Sequence, residues 1–118
     1  MIKRAESMIG EIRERMRGGT GQVTVTPVFL PGEYRGKARL IARITLNPGC
    51  SIGYHQHLNE EEIFYILKGE AVLADGQENS EQVLRPGDAS ITLDGQSHSI
   101  RNPGGEPLEL LALILLDA

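Results

Sequence analysis

Gly49-Cys50-Ser51-Ile52-Gly53-Tyr54-His55-Gln56-His57-Leu58-Asn59-Glu60-Glu61-Glu62 carries two of the chain's three histidines, followed at once by three adjacent glutamates. Asn47-Pro48-Gly49 opens it with a turn signal, so Ser51 to His57 reads as a strand and Glu62 to Leu67 as the next one. Side chains along a strand alternate between its two faces, which puts His55 and His57 on the same face. Both can therefore reach a single metal ion. A carboxylate near the start of the next strand can close back beside them if the connection is tight. On spacing alone Glu60, Glu61 and Glu62 all compete for that place.

Outward from this stretch the chain is a series of short strand patterns between turn signals. Gln22 to Phe29 is rich in β-branched residues and stops before Pro31-Gly32. Ala38 to Leu46 alternates Ala38, Leu40, Ala42, Ile44 and Leu46 on one face with Arg39, Ile41, Arg43 and Thr45 on the other. Ala71 to Ala74, Gln82 to Leu84, Ala89 to Leu93, His98 to Arg101 and Leu108 to Leu116 follow, separated by Asp75-Gly76, Pro86-Gly87, Asp94-Gly95 and Asn102-Pro103-Gly104-Gly105. Many short strands with Pro or Gly at nearly every junction predict an all-β sandwich or barrel of the jelly-roll kind. Residues 4–17 differ: Ala5, Met8, Ile9, Ile12 and Met16 fall on one helical stripe, with Gly18-Gly19 as the stop. The expected organisation is thus a short N-terminal α-helix and Gly-rich connection over 1–21, packed on a β-barrel domain over 22–118.

With 118 residues there is room for one domain. A net charge of −4 argues against a grip on nucleic acid or an anionic membrane, which needs clustered Lys and Arg. Cys50 is the single cysteine, so no internal disulfide is implied. Leu110 to Leu116, the longest apolar run, is far short of the roughly 20 residues of a membrane-spanning helix. Glu6, Glu11 and Glu14 interrupt any apolar signal core after the first basic residues, and the expected location is the cytoplasm.

A second segment, Gly87-Asp88-Ala89-Ser90-Ile91-Thr92-Leu93-Asp94-Gly95-Gln96-Ser97-His98-Ser99-Ile100-Arg101-Asn102, holds the third histidine. Together the two segments resemble the paired signature of the cupin superfamily. Gly49, His55, His57, Glu62 and Gly69 stand at the spacing of its first motif, with the longer of the two gaps allowed before Glu62. Gly87, Gly95, His98 and Asn102 match its second motif, in which Leu93 replaces the family's Pro. Asp94-Gly95 can still make the turn there. The 17 residues from Glu70 to Pro86 between the motifs suit two strands and a hairpin.

The resemblance implies a cupin double-stranded β-helix, a jelly-roll barrel, in which His55, His57, Glu62 and His98 bind one divalent transition metal. Imidazole and carboxylate donors suit Mn, Fe, Ni or Zn, and ligand type does not choose among them. Three neutral imidazoles and one carboxylate around a dication leave a net charge of about +1 and open positions for a small-molecule ligand. By strand parity Ser51, Gly53, Phe64, Ile66 and Ile100 should face inward with the ligands, and Tyr54 and Gln56 away. Tyr34, Arg39 and Arg43 would line the mouth only if the strand register brings them there.

Ile63, Tyr65 and Leu67, with Leu111, Leu113 and Leu115 on the last strand, make an outer face too apolar for free exposure; the N-terminal helix can cover part of the apolar surface, and a homodimer is the expected cover for the remainder. The resemblance implies a metalloenzyme of dioxygenase or isomerase/lyase type acting on a small oxygenated organic molecule or sugar derivative. Its rival is a binding or sensing module that holds a metal-chelated ligand without turnover. No acid/base residue beside the metal ligands is evident in the sequence.

Overall fold

Apolar residues at every second position of Leu108–Leu116 give that strand a core face of Leu108, Leu110, Ala112 and Ile114, all buried. It is the central strand of the larger of two sheets in the computed structural model, which describes residues 1–77 and 80–117. In chain order the strands are β1 (Glu11–Glu14), β2 (Gln22–Phe29), β3 (Ala38–Leu46), β4 (Ser51–Gln56), β5 (Glu60–Lys68), β6 (Ala71–Asp75), β7 (Ser80–Leu84), β8 (Ala89–Thr92), β9 (Ser97–Arg101) and β10 (Leu108–Leu116). One sheet has the order β1-β2-β3-β10-β5-β8 and the other β4-β9-β6-β7, and every pairing between these strands is antiparallel.

The alternating pattern of β3 is realised in its inner half, where Ala42, Ile44 and Leu46 are buried. With Phe64 and Ile66 of β5 these side chains meet Ile52, Leu73 and Ile100 from the smaller sheet, which closes the apolar core between the two layers. The loops are fixed by the residues that punctuate the sequence. Gly69 has φ +81°, and a Cβ there would lie 2.6 Å from the Pro107 carbonyl oxygen, so only glycine fits between β5 and the start of β10. Buried Asn102 donates from Nδ2 to the Leu46 and Glu106 carbonyls and accepts from the Gly104 N–H. The second motif's asparagine thus ties a loop, away from the histidines.

Two expectations are corrected. Residues 4–17 form no α-helix: Ala5–Ser7 and Met16–Gly18 are single 3₁₀ turns, and Glu11–Glu14 lies as an edge strand with Ile12 opposite Thr24 and Arg13 opposite Val23. Gly10 costs a helix interior roughly 1 kcal/mol relative to Ala, and an isolated helix of this length is marginal, whereas the edge of β2 offers ready backbone partners. Most of the proposed stripe is solvent-exposed, including Ile9 and Ile12, and of its larger side chains Met16 packs against the core. The second correction concerns β4. A register shift between Ile52 and His55 in the pairing with β9 reverses the parity upstream, so that Ile52 enters the core and Ser51 and Gly53 do not. Phe64, Ile66 and Ile100 face inward, and Tyr54 and Gln56 are exposed, as expected.

Gly53 instead meets the turn at residues 16–19. A Cβ on Gly53 would lie 2.1 Å from the Arg17 carbonyl oxygen, and one on Gly19 would lie 2.2 Å from the Ser51 carbonyl oxygen. The two backbones touch with no side chain between them. Gly53→Ala is therefore expected to force them apart and destabilise the fold by about 1–3 kcal/mol. A thermal midpoint equal to the parent's would contradict this packing.

Candidate metal centre

The structure brings His55, His57, Glu62 and His98 together, their ligand atoms all within 4.8 Å of one another. His55 comes from β4, His57 from the residue after it, Glu62 from β5 in the opposite sheet and His98 from β9. His55 and His98 are register partners across the smaller sheet. His57 Nε2 lies 3.2 Å from His55 Nε2, 3.1 Å from His98 Nε2 and 3.1 Å from Glu62 Oε1. His98 Nε2 is also 3.1 Å from Glu62 Oε1. Donors about 2.1 Å from a shared ion stand about 3.0 Å apart at right angles and about 3.4 Å apart in a tetrahedron, so these separations suit one ion.

The outer nitrogens explain why the inner ones converge. His55 Nδ1 is 2.7 Å from the Gly53 carbonyl oxygen, His57 Nδ1 is 2.5 Å from Glu60 Oε2, and His98 Nδ1 is 2.7 Å from Thr92 Oγ1. Each Nδ1–H thus has an oxygen to donate to, which selects the tautomer whose Nε2 lone pair points inward. Three lone pairs and a carboxylate oxygen facing one another repel unless a cation or shared protons lie among them. The four residues fit a divalent metal.

Glu60, one of three carboxylates that spacing left in competition, has a different task from Glu62. Its Oε1 accepts from Arg39 Nε at 2.6 Å and its Oε2 from Arg39 Nη2 at 2.8 Å, while Oε2 also faces His57. Spacing alone does not distinguish Glu60 from Glu62, because their separation depends on where the β4–β5 connection tightens; the resemblance to the cupin motif is what singles out Glu62. Thr92 and the Gly53 carbonyl are likewise supports that no motif announces. Phe64 stacks on His98 with ring centroids 4.9 Å apart and planes 8° apart, fixing the ring's tilt.

Charge follows from these contacts. The Arg39 guanidinium, helped by His57, holds the Glu60 carboxyl down at about 2. Burial pushes Glu62 up, but hydrogen bonds from His57 and His98 outweigh it and leave its pKa below the usual carboxylate range. Hydrogen bonding to Glu62, and then to Glu60, raises His57. Burial, reinforced by the neighbouring histidines, lowers His55. Both carboxylates are therefore anionic at neutral pH, and any proton held on the inner nitrogens must leave before a metal can bind them.

Three of the donors, His55, His57 and Glu62, line a cavity of about 170 Å³ between the sheets, while His98 is buried behind them. Leu40, Ile44, Ile52 and Ile114 supply apolar walls, and Arg13, Met16, Arg17 and Arg39 stand around the rest. Arg39 is the one mouth candidate from the sequence that lines this cavity; Tyr34 and Arg43 do not. Arg13, Met16 and Arg17 escaped notice because the segment that carries them reads as a helix.

Replacing His98 by Ala removes one donor and leaves its partners facing a void. The folded variant is expected to lose most of its bound metal by elemental analysis, and an unchanged metal-to-chain ratio would defeat the ligand assignment.

The sequence model of the Cupin domain family matches residues 42–114, which contain all four donors. A curated relative, the oxalate-binding protein of Thermotoga maritima, is 43% identical over 98% of this chain and 94% of its own. A crystal structure of a predicted oxalate decarboxylase from Thermotoga maritima superposes with a TM-score of 0.92 at 41% identity, covering 98% of this chain and 99% of that one. A polyketide cyclase from Streptomyces resistomycificus shares the fold, with a TM-score of 0.81 at 20% identity over 98% of this chain and 80% of its own. Fold, paired motifs and these matches agree, and the chain belongs to the cupin family.

Proposed function

We propose that the chain uses a divalent metal held by His55, His57, Glu62 and His98 to capture a small dicarboxylate, oxalate or a near analogue, as a chelate. The observation that carries this is the donor set itself, three of whose members, His55, His57 and Glu62, line a cavity of about 170 Å³ with room for only a small ligand. The likeness to an oxalate-binding protein over nearly the whole of both chains supports it. A bound divalent metal would supply Lewis acidity and open positions for carboxylate oxygens. Glu62 offsets one of its two charges, so the centre keeps about one positive charge for an anion. The apolar walls of Leu40, Ile44, Ile52 and Ile114 exclude water around the ligand and limit its size.

Capture without turnover is the form these residues favour over the isomerase/lyase form. Proton transfer needs a titratable group beside the ligand that is not otherwise engaged. Glu60, the nearest carboxylate outside the donor set, has its oxygens hydrogen-bonded to Arg39 and His57. Titration calorimetry with oxalate, on protein loaded separately with Mn, Fe, Ni or Zn and on metal-free protein, tests this. Binding of about one oxalate per chain is expected only with metal present. Equal affinity without metal, or no binding with any metal, would sink the proposal, and release of formate and carbon dioxide would replace capture by decarboxylation.

We also propose that a second copy covers the outer face of the larger sheet. Tyr65, Leu67 and Ile91 are 43%, 45% and 50% exposed there, beside the half-buried Ile63, Leu111 and Leu113. Light scattering at micromolar concentration should give the mass of two chains, and the mass of one would refute it.

A further inference from the structure

We infer that Arg17 is the specificity-determining residue of the ligand cavity, engaging the outward-facing oxygens of a dicarboxylate that is chelated at the metal centre. This rests on the ligand assignment proposed above. Arg17 lines the same cavity as His55, His57 and Glu62. It shares the cavity with two other arginines, but they are differently engaged. Arg39 is locked in its two-point contact with Glu60, and Arg13 lies 3.5 Å from Glu11. Among the described residues Arg17 has no carboxylate within ion-pair distance. An unpaired guanidinium at a cavity wall is the group best suited to two parallel hydrogen bonds with a carboxylate.

The backbone beneath it is unusual in the same place. Arg17 has φ 54° and ψ 32°, a left-handed conformation that costs a residue with a Cβ about 1 kcal/mol or more. Arg15 is left-handed too, and its N–H closes the turn by donating to the Gly21 carbonyl at 2.9 Å. The strap between β1 and β2 is pinned from both sides. Thr20 N–H donates to Ser51 Oγ at 2.8 Å, and Ser51 N–H donates back to the Thr20 carbonyl at 2.9 Å. The Arg17 carbonyl sits in the gap left by the missing Gly53 side chain. Gly53 in turn accepts the hydrogen bond that orients His55. Arg17 is thus referenced, through a single glycine, to a donor of the metal centre, which fixes where its backbone stands relative to a ligand bound there. A monocarboxylate bound to the metal would leave Arg17 without a partner; a chelated dicarboxylate would offer it two outward-facing oxygens.

Arg17→Gly separates side chain from backbone, because glycine adopts this φ and ψ without penalty. On metal-loaded protein, calorimetry is expected to show oxalate affinity reduced about tenfold to a hundredfold, the range of a lost charged hydrogen bond. Acetate affinity should change less than about threefold, and metal content and thermal midpoint should hold. Arg17→Lys should recover part of the oxalate affinity, and Arg13→Gln should leave it close to the parent's. Oxalate affinity unchanged in Arg17→Gly, or oxalate and acetate weakened alike, would overturn the role of Arg17 while leaving the metal-dependent capture of oxalate standing. Failure of the loaded parent protein to bind oxalate would overturn both.

Discussion

Three imidazole rings are turned so that their Nδ1 atoms face protein oxygens and their Nε2 atoms face one another, and the rest of the site depends on that constraint. Without it, nitrogens 3.1–3.2 Å apart would choose tautomers freely and hydrogen-bond in pairs. The three oxygens come from different sources: the Gly53 carbonyl on β4, the Glu60 carboxylate on β5 and the Thr92 hydroxyl on β8. Ring orientation is thereby set by both sheets. The jelly roll is what can assemble such a set, since it places two sheets face to face with the donors on the inner side of each.

Much of this was legible in the sequence because strands bounded by Pro and Gly announce both their period and their ends. Gln22 to Phe29, Ala38 to Leu46 and Leu108 to Leu116 are strands with the expected limits. His-x-His on one strand needs only the two-residue repeat to share a face, and the paired motifs carry Glu62 and His98 by resemblance. The structure gathers all four.

The misread parts are those whose conformation comes from a neighbour. Glu11–Glu14 has no pattern of its own as a strand; the edge of β2 makes it one, and a chance spacing of Met and Ile made it look helical. The bulge before His55 follows from how β4 meets β9, so alternation counted back from the histidines places Ser51 and Gly53 wrongly. Glu60 and Glu62 sit on the same run and differ only in what faces them. Arg17 was hidden by the same error that hid β1.

The placement of β10 has a consequence for how the chain reaches this state. β10 lies between β3 and β5, separated from β3 by more than sixty residues of intervening chain, and it supplies the hydrogen-bonding partner for one edge of each. While a ribosome is still making the segment before Leu108, β2 and β3 can pair as neighbours, but the larger sheet stays split into two halves with open apolar edges. Folding is therefore governed by contacts between distant parts of the sequence, a topology that slows the search. The nascent chain would be prone to aggregation until β10 emerges to join the two halves.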